Sequence, residues 1–320
     1  MTSTEAATTG ATADRASQAR SAAPGGRRRL GGRKAAELTL FAGPAFVLYS
    51  AFAIAPIVLA FYYSFYKWDG ISALTNFIGL GNYRRALADR QYWVSFLFTL
   101  KYTAIITPVL IVGGYLLALL TVERSPLRRL TRTTVFIPVV IGLGVSSLLW
   151  YWLFSTEFGL VNRALMDLGV ISRPVLWLGV DGDRSNLAII ASVTWKVMGF
   201  GMILFVGAIQ AIPTEITEAS LVDGASYWQR VTRVILPLTL RSVLLVTLVS
   251  VIGSLLAFDQ FYIMTAGQPQ NETATSVFYV YLNSFPYLRL GYGAALSLIL
   301  ALTILAFTAV QLLLTRRSHA

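Results

Sequence analysis

The stretch EASLVDGASYWQRVTRVILP, residues Glu218–Pro237, is a polar and charged segment between two long apolar segments. Asp223-Gly224, near its middle, is a strong helix-breaking pair. Beyond this pair, Ser226 and Gln229 have the spacing of a capping box, in which a serine opens a helix and a glutamine bonds back to the serine backbone. The sequence therefore predicts two short helices joined by a glycine elbow.

The residues around this stretch define the ends of the two helices. Pro213 follows the preceding apolar segment, and Thr214 can cap the first short helix. Glu215 and Glu218 lie in its first turn, where carboxylates suit the positive end of the helix dipole. Leu236-Pro237 ends the second helix, because the residue before a proline disfavours helical backbone. Residues 213–237 are called the elbow loop below.

The composition is that of a membrane protein. Of the 320 residues, 56% are hydrophobic and 13% are charged, whereas soluble domains carry about a quarter charged residues. The mean hydropathy is +0.65, so we expect most of the chain to lie in lipid. With no cysteine and a single histidine, His319, the sequence excludes disulfides and thiol catalysis and predicts no metal site and no catalytic residues.

Mostly uncharged stretches reach the length of about 20 residues that a helix needs to cross a bilayer. The strand alternation of a membrane barrel is absent from the sequence. We therefore predict an all-α integral membrane protein with about six transmembrane helices, at residues 38–66, 95–121, 133–156, 186–212, 238–263 and 291–315.

The net charge of +11 is distributed in clusters that flank the apolar segments on alternate sides. This pattern favours the positive-inside rule over nucleic-acid binding, and it predicts that both termini, the 122–132 loop and the elbow loop are cytoplasmic. The clusters contain Arg27, Arg28, Arg29, Arg33 and Lys34; Arg124, Arg128, Arg129 and Arg132; Arg230, Arg233 and Arg241; and Arg316 and Arg317.

The chain is predicted to have one membrane domain with short tails. Residues 1–37 are expected to form a disordered basic tail, residues 38–316 the membrane domain, and residues 317–320 a C-terminal tail. A signal peptide is the competing interpretation of the N-terminal region. The apolar segment after Lys34 is too long for one, and no clear cleavage site follows it, which favours a retained first span.

On physical grounds alone, the elbow loop has two equally supported interpretations. It could be an interfacial amphipathic hairpin that anchors the chain, or a docking element for another protein. Small residues, Ala219, Ser220, Gly224 and Ala225, would let another surface approach the backbone closely.

The elbow loop resembles the EAA signature of the membrane subunits of ATP-binding-cassette importers. That signature consists of Glu-Ala-Ala, three residues, Gly, nine residues, Ile, any residue and Leu-Pro. Ser220 replaces the second alanine here, and Val234 stands in the isoleucine slot. The resemblance implies that the loop inserts into a groove of an ATPase subunit, through Glu218, Ala219, Ser220, Asp223, Gly224, Ala225, Leu236 and Pro237.

Two further stretches resemble the carbohydrate branch of this family, which includes the maltose, glycerol-phosphate and lactose permeases. They are Ser64–Trp68 followed by Phe77–Tyr83, and Phe258-Asp259 followed by Gly291–Ala295. The resemblance implies a type I permease fold in the cytoplasmic membrane of a prokaryote. The implied partners are a second homologous permease, two ATPase subunits, an extracytoplasmic solute-binding protein and a sugar substrate.

The sequence contains no phosphate-binding Gly-rich loop with the spacing GxxxxGK[ST]. We therefore expect this chain to bind no cofactor and to have no ATPase site. The resemblance implies that ATP and Mg²⁺ are used by the partner subunits.

Polar residues at membrane depth are candidates for a substrate path, because ionisable groups are costly there. Thr247, Ser250, Ser254, Phe258 and Tyr262 recur every three or four residues and are predicted to form one stripe of the fifth span. Hydroxyls and aromatic rings of this kind suit a sugar, although the serines could instead serve helix packing. The complete set of candidates is Trp195, Lys196, Ser254, Phe258, Asp259, Gln260 and Tyr262.

Some alternatives remain open at this point. Lys196 and Asp259 could pair with each other or extend towards the membrane surface. The family resemblance implies that the fourth to sixth spans line the path. The competing functions are a self-contained secondary transporter or channel, for which the sequence shows no clear internal repeat, and a membrane scaffold protein.

Overall fold

The computed structural model describes residues 32–123 and 125–317. The chain divides into two compact units, Met1–Val58 and Leu59–Ala320. Within the described residues the structure is helical, with a single isolated β-bridge between Tyr66 and Phe77 and no strand. The helices are α1 Gly32–Tyr49, α2 Ala55–Tyr63, α3 Gly81–Ala88, α4 Arg90–Thr121, α5 Pro126–Val140, α6 Leu143–Leu153, α7 Leu160–Asp167, α8 Gly182–Gln210, α9 Thr214–Val222, α10 Tyr227–Leu238, α11 Leu240–Leu255, α12 Asp259–Met264, α13 Ser276–Ser284 and α14 Leu290–Arg317.

The predicted tails are shorter where the structure describes them. Helix α1 begins at Gly32, so the prediction of disorder is wrong for residues 32–37; Ala35, Ala36 and Glu37 are good helix formers that extend the helix. Helix α14 likewise includes Arg317. Residues 1–31 and 318–320 of the predicted tails lie outside the described residues.

Two π-helical turns, Ser50–Ile54 and Val231–Ile235, each end two residues before a proline. In the first, the Ala55 N–H donates to the Ser50 carbonyl, one residue further back than in an α-helix. Pro56 and Pro237 have no N–H, and their rings crowd the carbonyl four residues earlier. The wider turn accommodates that carbonyl, which explains how both prolines lie in helical segments.

The candidate spans in the structure differ in shape from the sequence prediction. Among the described residues, four helices are long and apolar enough to cross a membrane, Leu40–Tyr63, Arg90–Thr121, Gly182–Gln210 and Leu290–Leu313. Two bent helix pairs bring the total to as many as six, namely α5 with α6 at 101° and α10 with α11 at 70°.

The predicted third and fifth spans are not single helices in the structure. The 133–156 segment breaks at Ile141, which has extended backbone with ψ 136°, after Pro138 has weakened the last turn of α5. The 238–263 segment ends at Leu255, and Phe258 has φ −137° and ψ −61° before α12 begins. A hydropathy average depends only on composition, so it cannot detect a change of direction between two consecutive apolar helices.

Helices α4, α5, α8 and α11 pack together in the larger unit. Helices α8 and α5 approach closely where a Cβ on Gly199 would clash with the carbonyl oxygen of Val135. Small residues at such crossings let helix backbones come together in lipid, where dispersion and hydrogen bonding replace the hydrophobic effect. Helices α5 and α8 are therefore in tight backbone contact.

Asp89 joins several helices at the side of the molecule where α4 begins. Its Oδ1 accepts from the backbone N–H of Gln91 at 3.0 Å and so caps α4. Its Oδ2 accepts from the hydroxyls of Tyr279 on α13 and Tyr292 on α14, both at 2.7 Å. Burial raises the pKa of the carboxyl, but the hydrogen bonds together outweigh burial and lower its pKa below the ordinary value.

Candidate functional site

The elbow loop has the predicted architecture. Helix α9 runs over Thr214–Val222 and α10 begins at Tyr227. Between them Gly224 has φ +72°, a left-handed conformation that glycine adopts without strain. The predicted capping box is present, and Gln229 Oε1 accepts from the Ser226 N–H at 2.8 Å.

Two details of the loop differ from the sequence prediction. Leu236-Pro237 does not end the second helix: Leu236 is helical, with φ −61° and ψ −46°, and α10 continues to Leu238, because the π-helical turn Val231–Ile235 accommodates the proline. The N-cap of α9 is Pro213, and no side chain caps this helix, so Thr214 is its first residue and not its cap. Proline supplies the extended backbone that a cap position needs, with ψ 135°. In the first turn of α9, the Ile216 N–H donates to the Pro213 carbonyl at 3.2 Å in place of a side-chain cap.

Most of the residues implied in docking are exposed. Glu218, Ala219, Asp223, Gly224, Leu236 and Pro237 are exposed, Ala225 is half-buried, and Ser220 is buried. Ser220 Oγ donates to the carbonyl of Thr217 at 2.7 Å, so its hydroxyl serves its own helix. The structure thus places these residues on one loop without showing any partner on them.

The loop also exposes large apolar side chains that the sequence analysis did not select. Val222 is 89% exposed and Trp228 is 61% exposed, and Leu221 lies next to Val222. They were missed because an apolar residue in a short amphipathic helix is expected to face the membrane or the core. Their apolar character within a charged loop was the available signal. We call Leu221, Val222 and Trp228 the apolar tip.

The base of the elbow loop is anchored in the membrane domain. Val231 of α10 is buried in an apolar cluster with Tyr115 of α4, Phe205 of α8 and Val246 of α11. Ile235, one turn later, packs against the same cluster. The loop therefore has an exposed end and an end that contacts three membrane helices.

A cavity of about 180 Å³ lies between α4, α6, α8, α11 and α12. Its walls are largely apolar. Ser254 and Gln260, two of the predicted path residues, line it. Tyr102 and Ser250 supply two further hydroxyls; Tyr102 was missed because nothing in its sequence surroundings connects α4 to α11.

Trp195 and Lys196 do not line this cavity. Trp195 packs edge-on against Trp150, with ring centroids 5.8 Å apart. Lys196 is 7% exposed, and its Nζ donates to the carbonyl of Val139 at 3.3 Å. Among the residues that the structure describes there are three ion pairs, and none includes Lys196 or Asp259, so the pairing of these two is not observed.

The predicted polar stripe does not exist as one helix face. The chain leaves α11 after Leu255, so Phe258, Asp259 and Tyr262 do not share a helix with Ser254. Phe258 instead stacks on Tyr262 at 5.3 Å and 13°, and both rings contact Tyr281 of α13. We call Phe258, Tyr262, Phe278 and Tyr281 the aromatic cluster; its α13 members were missed because the contact is long-range.

The chain is similar to known transport proteins over most of its length. The family described as "Binding-protein-dependent transport system inner membrane component" matches residues 110–319. The lactose transport system permease protein LacF of Rhizobium radiobacter is 32% identical over 85% of this chain and 91% of its own length. The trehalose/maltose transport system permease protein MalF of Thermococcus litoralis is 33% identical over 84% of this chain and 90% of its own.

A solved structure of a transporter chain has a similar fold. A chain of a bacterial ABC transporter involved in the import of the acidic polysaccharide alginate superimposes with a TM-score of 0.78 at 22% identity, over 90% of this chain and 99% of that one. The predicted all-α permease fold is thus confirmed, as is the resemblance of the sequence to ABC-importer permeases. The chain belongs to the family of inner membrane components of binding-protein-dependent transport systems.

Proposed function

We propose that this multi-pass chain is a permease subunit of an ATP-driven sugar importer in the cytoplasmic membrane of a prokaryote, with both termini in the cytoplasm. It forms the translocation path with a second homologous permease and works with two ATPase subunits and an extracytoplasmic solute-binding protein. The sugar class is supported by relatives that are named for lactose and for trehalose and maltose transport.

The single observation that carries the coupling role is the apolar tip of the elbow loop. Val222 is almost fully exposed although it is apolar, and it lies beside the acidic residues Glu218 and Asp223. An apolar centre with a charged rim is typical of a surface that docks on another protein. We assign to this surface the contact with an ATPase subunit.

The cavity and the aromatic cluster are assigned to the substrate path. Tyr102, Ser250, Ser254 and Gln260 offer hydrogen-bonding groups to sugar hydroxyls inside an otherwise apolar wall. Aromatic rings such as those of Phe258 and Tyr262 can stack on the flat apolar faces of a sugar. On this assignment, Trp195 and Lys196 support the path from behind the cavity wall.

The energy source is assigned to the partner subunits. The chain has no phosphate-binding loop, so ATP and Mg²⁺ are bound by the ATPase subunits and this chain has no ATPase activity of its own. Binding of ATP draws the ATPase subunits together and moves the elbow loop, which changes the side of the membrane to which the path opens.

The test is sugar uptake by the purified complex in vesicles, with the solute-binding protein outside and ATP inside. We expect uptake to need ATP and to be abolished by Val222→Glu, which places a charge at the centre of the docking surface. The matched control is Val170→Glu, at an exposed valine of another loop. Uptake that is driven by an ion gradient without nucleotide, or that survives Val222→Glu unchanged, would contradict the proposal.

A further inference from the structure

The elbow loop joins the membrane helices at Thr239. Helices α10 and α11 meet there at an angle of 70°, and Thr239 itself has φ −96° and ψ 4°. Its side chain is 2% exposed, and its hydroxyl donates to the carbonyl of Ile235 at 2.9 Å. The bend therefore contains a buried hydroxyl whose only hydrogen is already used within α10.

A second buried hydroxyl reaches this bend from a distant part of the chain. Tyr115 of α4 has its hydroxyl oxygen 2.9 Å from Thr239 Oγ1. Because Thr239 donates to Ile235, Tyr115 is the donor in this bond. The Tyr115 ring is itself held edge-on against Phe205 of α8, with centroids 5.1 Å apart.

The apolar surroundings make the loss of this hydrogen bond costly. The neighbouring buried side chains are apolar and include Leu119, Val231 and Val246. A hydroxyl that loses its partner in such surroundings has no replacement from water, and the free-energy penalty is correspondingly high. The bond therefore favours one arrangement of α4, α10 and α11 over arrangements in which Thr239 moves away from Tyr115.

Helices α4 and α11 are also walls of the cavity. Helix α4 contributes Tyr102 to it, and α11 contributes Ser250 and Ser254. Helix α10 is the second half of the elbow loop. One hydrogen bond at the bend thus links the loop to two of the helices that line the cavity.

We propose that the Tyr115–Thr239 hydrogen bond is the joint through which movement of the elbow loop reaches the cavity, with both residues acting as positioning residues for coupling. This inference rests on the proposed function. Without the bond, α10 pivots at Thr239 while α11 stays in place. The ATPase subunits then hydrolyse ATP with little movement of sugar.

The experiment measures sugar transported per ATP hydrolysed by the complete complex in vesicles. Tyr115→Phe and Thr239→Val each remove one hydroxyl and keep the shape of the side chain. We expect each to lower the ratio roughly three- to tenfold, as the loss of one buried hydrogen bond implies, while ATP hydrolysis continues. Thr239→Ser keeps the hydroxyl and should restore the ratio.

The matched control is a threonine of α14. Thr303 Oγ1 donates to the carbonyl of Ile299 within that helix, so Thr303→Val removes a hydroxyl without touching the joint. We expect its transport ratio to stay at the wild-type value. The double variant Tyr115→Phe with Thr239→Val should be no worse than either single variant, because both remove the same bond.

A second readout separates coupling from stability. The chain has no cysteine, so Ser250→Cys introduces a single thiol on this chain at the cavity. ATP should change the rate at which this thiol is labelled, and Tyr115→Phe should abolish that change. A merely structural role would lower the yield of complex but leave the ATP-dependent change intact in the complexes that form.

The outcomes distinguish this inference from the proposed function. If the unmodified complex shows no ATP-dependent uptake, the proposed function fails. If it does, and Tyr115→Phe and Thr239→Val retain the normal ratio of sugar to ATP, then the joint is overturned while the proposed function stands.

Discussion

Lys196 Nζ lies 3.3 Å from the carbonyl oxygen of Val139, two residues before the third span breaks at Ile141. The last carbonyls of a helix have no partner within it, and the negative end of the helix dipole favours a cation. An ionisable residue that looked like part of a substrate path is therefore bonded to the end of a broken helix.

We expect Lys196→Met to destabilise the junction between α5 and α6 at Ile141 and to lower ATP-driven uptake. An unpaired buried carbonyl costs about 1–3 kcal/mol, and Leu143, which follows the break, lines the cavity. The measurements are uptake and thiol labelling of Leu143→Cys, whose reactivity should rise in the Lys196→Met background. Lys101→Met, which removes an exposed lysine paired with Asp183, is the control; equal effects of the two changes would contradict this role.

Gly224 provides a test of the elbow. Its φ of +72° is strained for any other residue, by about 1–2 kcal/mol for alanine, and proline fixes φ near −65°. We expect Gly224→Ala to reduce ATP-driven uptake and Gly224→Pro to abolish it, while both proteins still insert in the membrane.

The control for the elbow is Gly207→Ala. Gly207 lies in α8 with open space around its Cα, so alanine there should be neutral or slightly stabilising. The coupling role of the elbow would be refuted by wild-type uptake in Gly224→Pro.

Asp89 predicts a stability that depends on pH. Its pKa is lowered in the folded protein, so the bonds from Tyr279 and Tyr292 contribute fully above the ordinary carboxyl pKa of 3.8. The contribution is lost as the pH falls through the lower, folded-state pKa. We expect Asp89→Asn to lower the melting temperature in detergent at pH 7 and to matter less at a pH well below 3.8. A melting-temperature difference that is equal at both pH values would count against this assignment.

The cavity residues should affect sugar affinity. Ser254→Ala and Gln260→Leu each remove one hydrogen-bonding group, worth about 0.5–1.5 kcal/mol, from the cavity wall. We expect the half-saturating sugar concentration to rise roughly two- to tenfold, with the ratio of sugar to ATP at saturation unchanged. The control is Ser297→Ala, which removes a hydroxyl that bonds within α14. An unchanged half-saturating concentration in both cavity variants would remove them from the path.

The elbow could be predicted from the sequence because its determinants are local. The Asp223-Gly224 pair and the Ser226–Gln229 capping box act over four residues or fewer, and both are present in the structure. The break after Leu255 could not be predicted in this way. The carbonyl of Ala257 is satisfied by the hydroxyl of Thr275 at 2.7 Å, from a segment 18 residues away, and no proline or glycine occurs in residues 255–258 to signal it.

The residues that line the cavity, like the break after Leu255, depend on contacts between distant segments and could be predicted only in part. Polarity at membrane depth makes Ser254 and Gln260 candidates for the path, and both line the cavity. The same reasoning applies to Lys196, which contacts another helix instead. Polarity indicates that a side chain needs a partner, whereas the helix packing decides whether that partner is a cavity or a neighbouring backbone.

The 70° bend at Thr239 has a consequence for protein engineering. Ser250 and Ser254 lie on the helix that starts at this bend, and α10 ends there. A chimaera in which this helix is replaced by that of a relative, in order to change the sugar accepted, also receives a new junction with the elbow loop and hence with the ATPase subunits. Selectivity and energy conversion should therefore be exchanged together, by grafting residues 227–255 with their α4 contact at Tyr115, and not one cavity residue at a time.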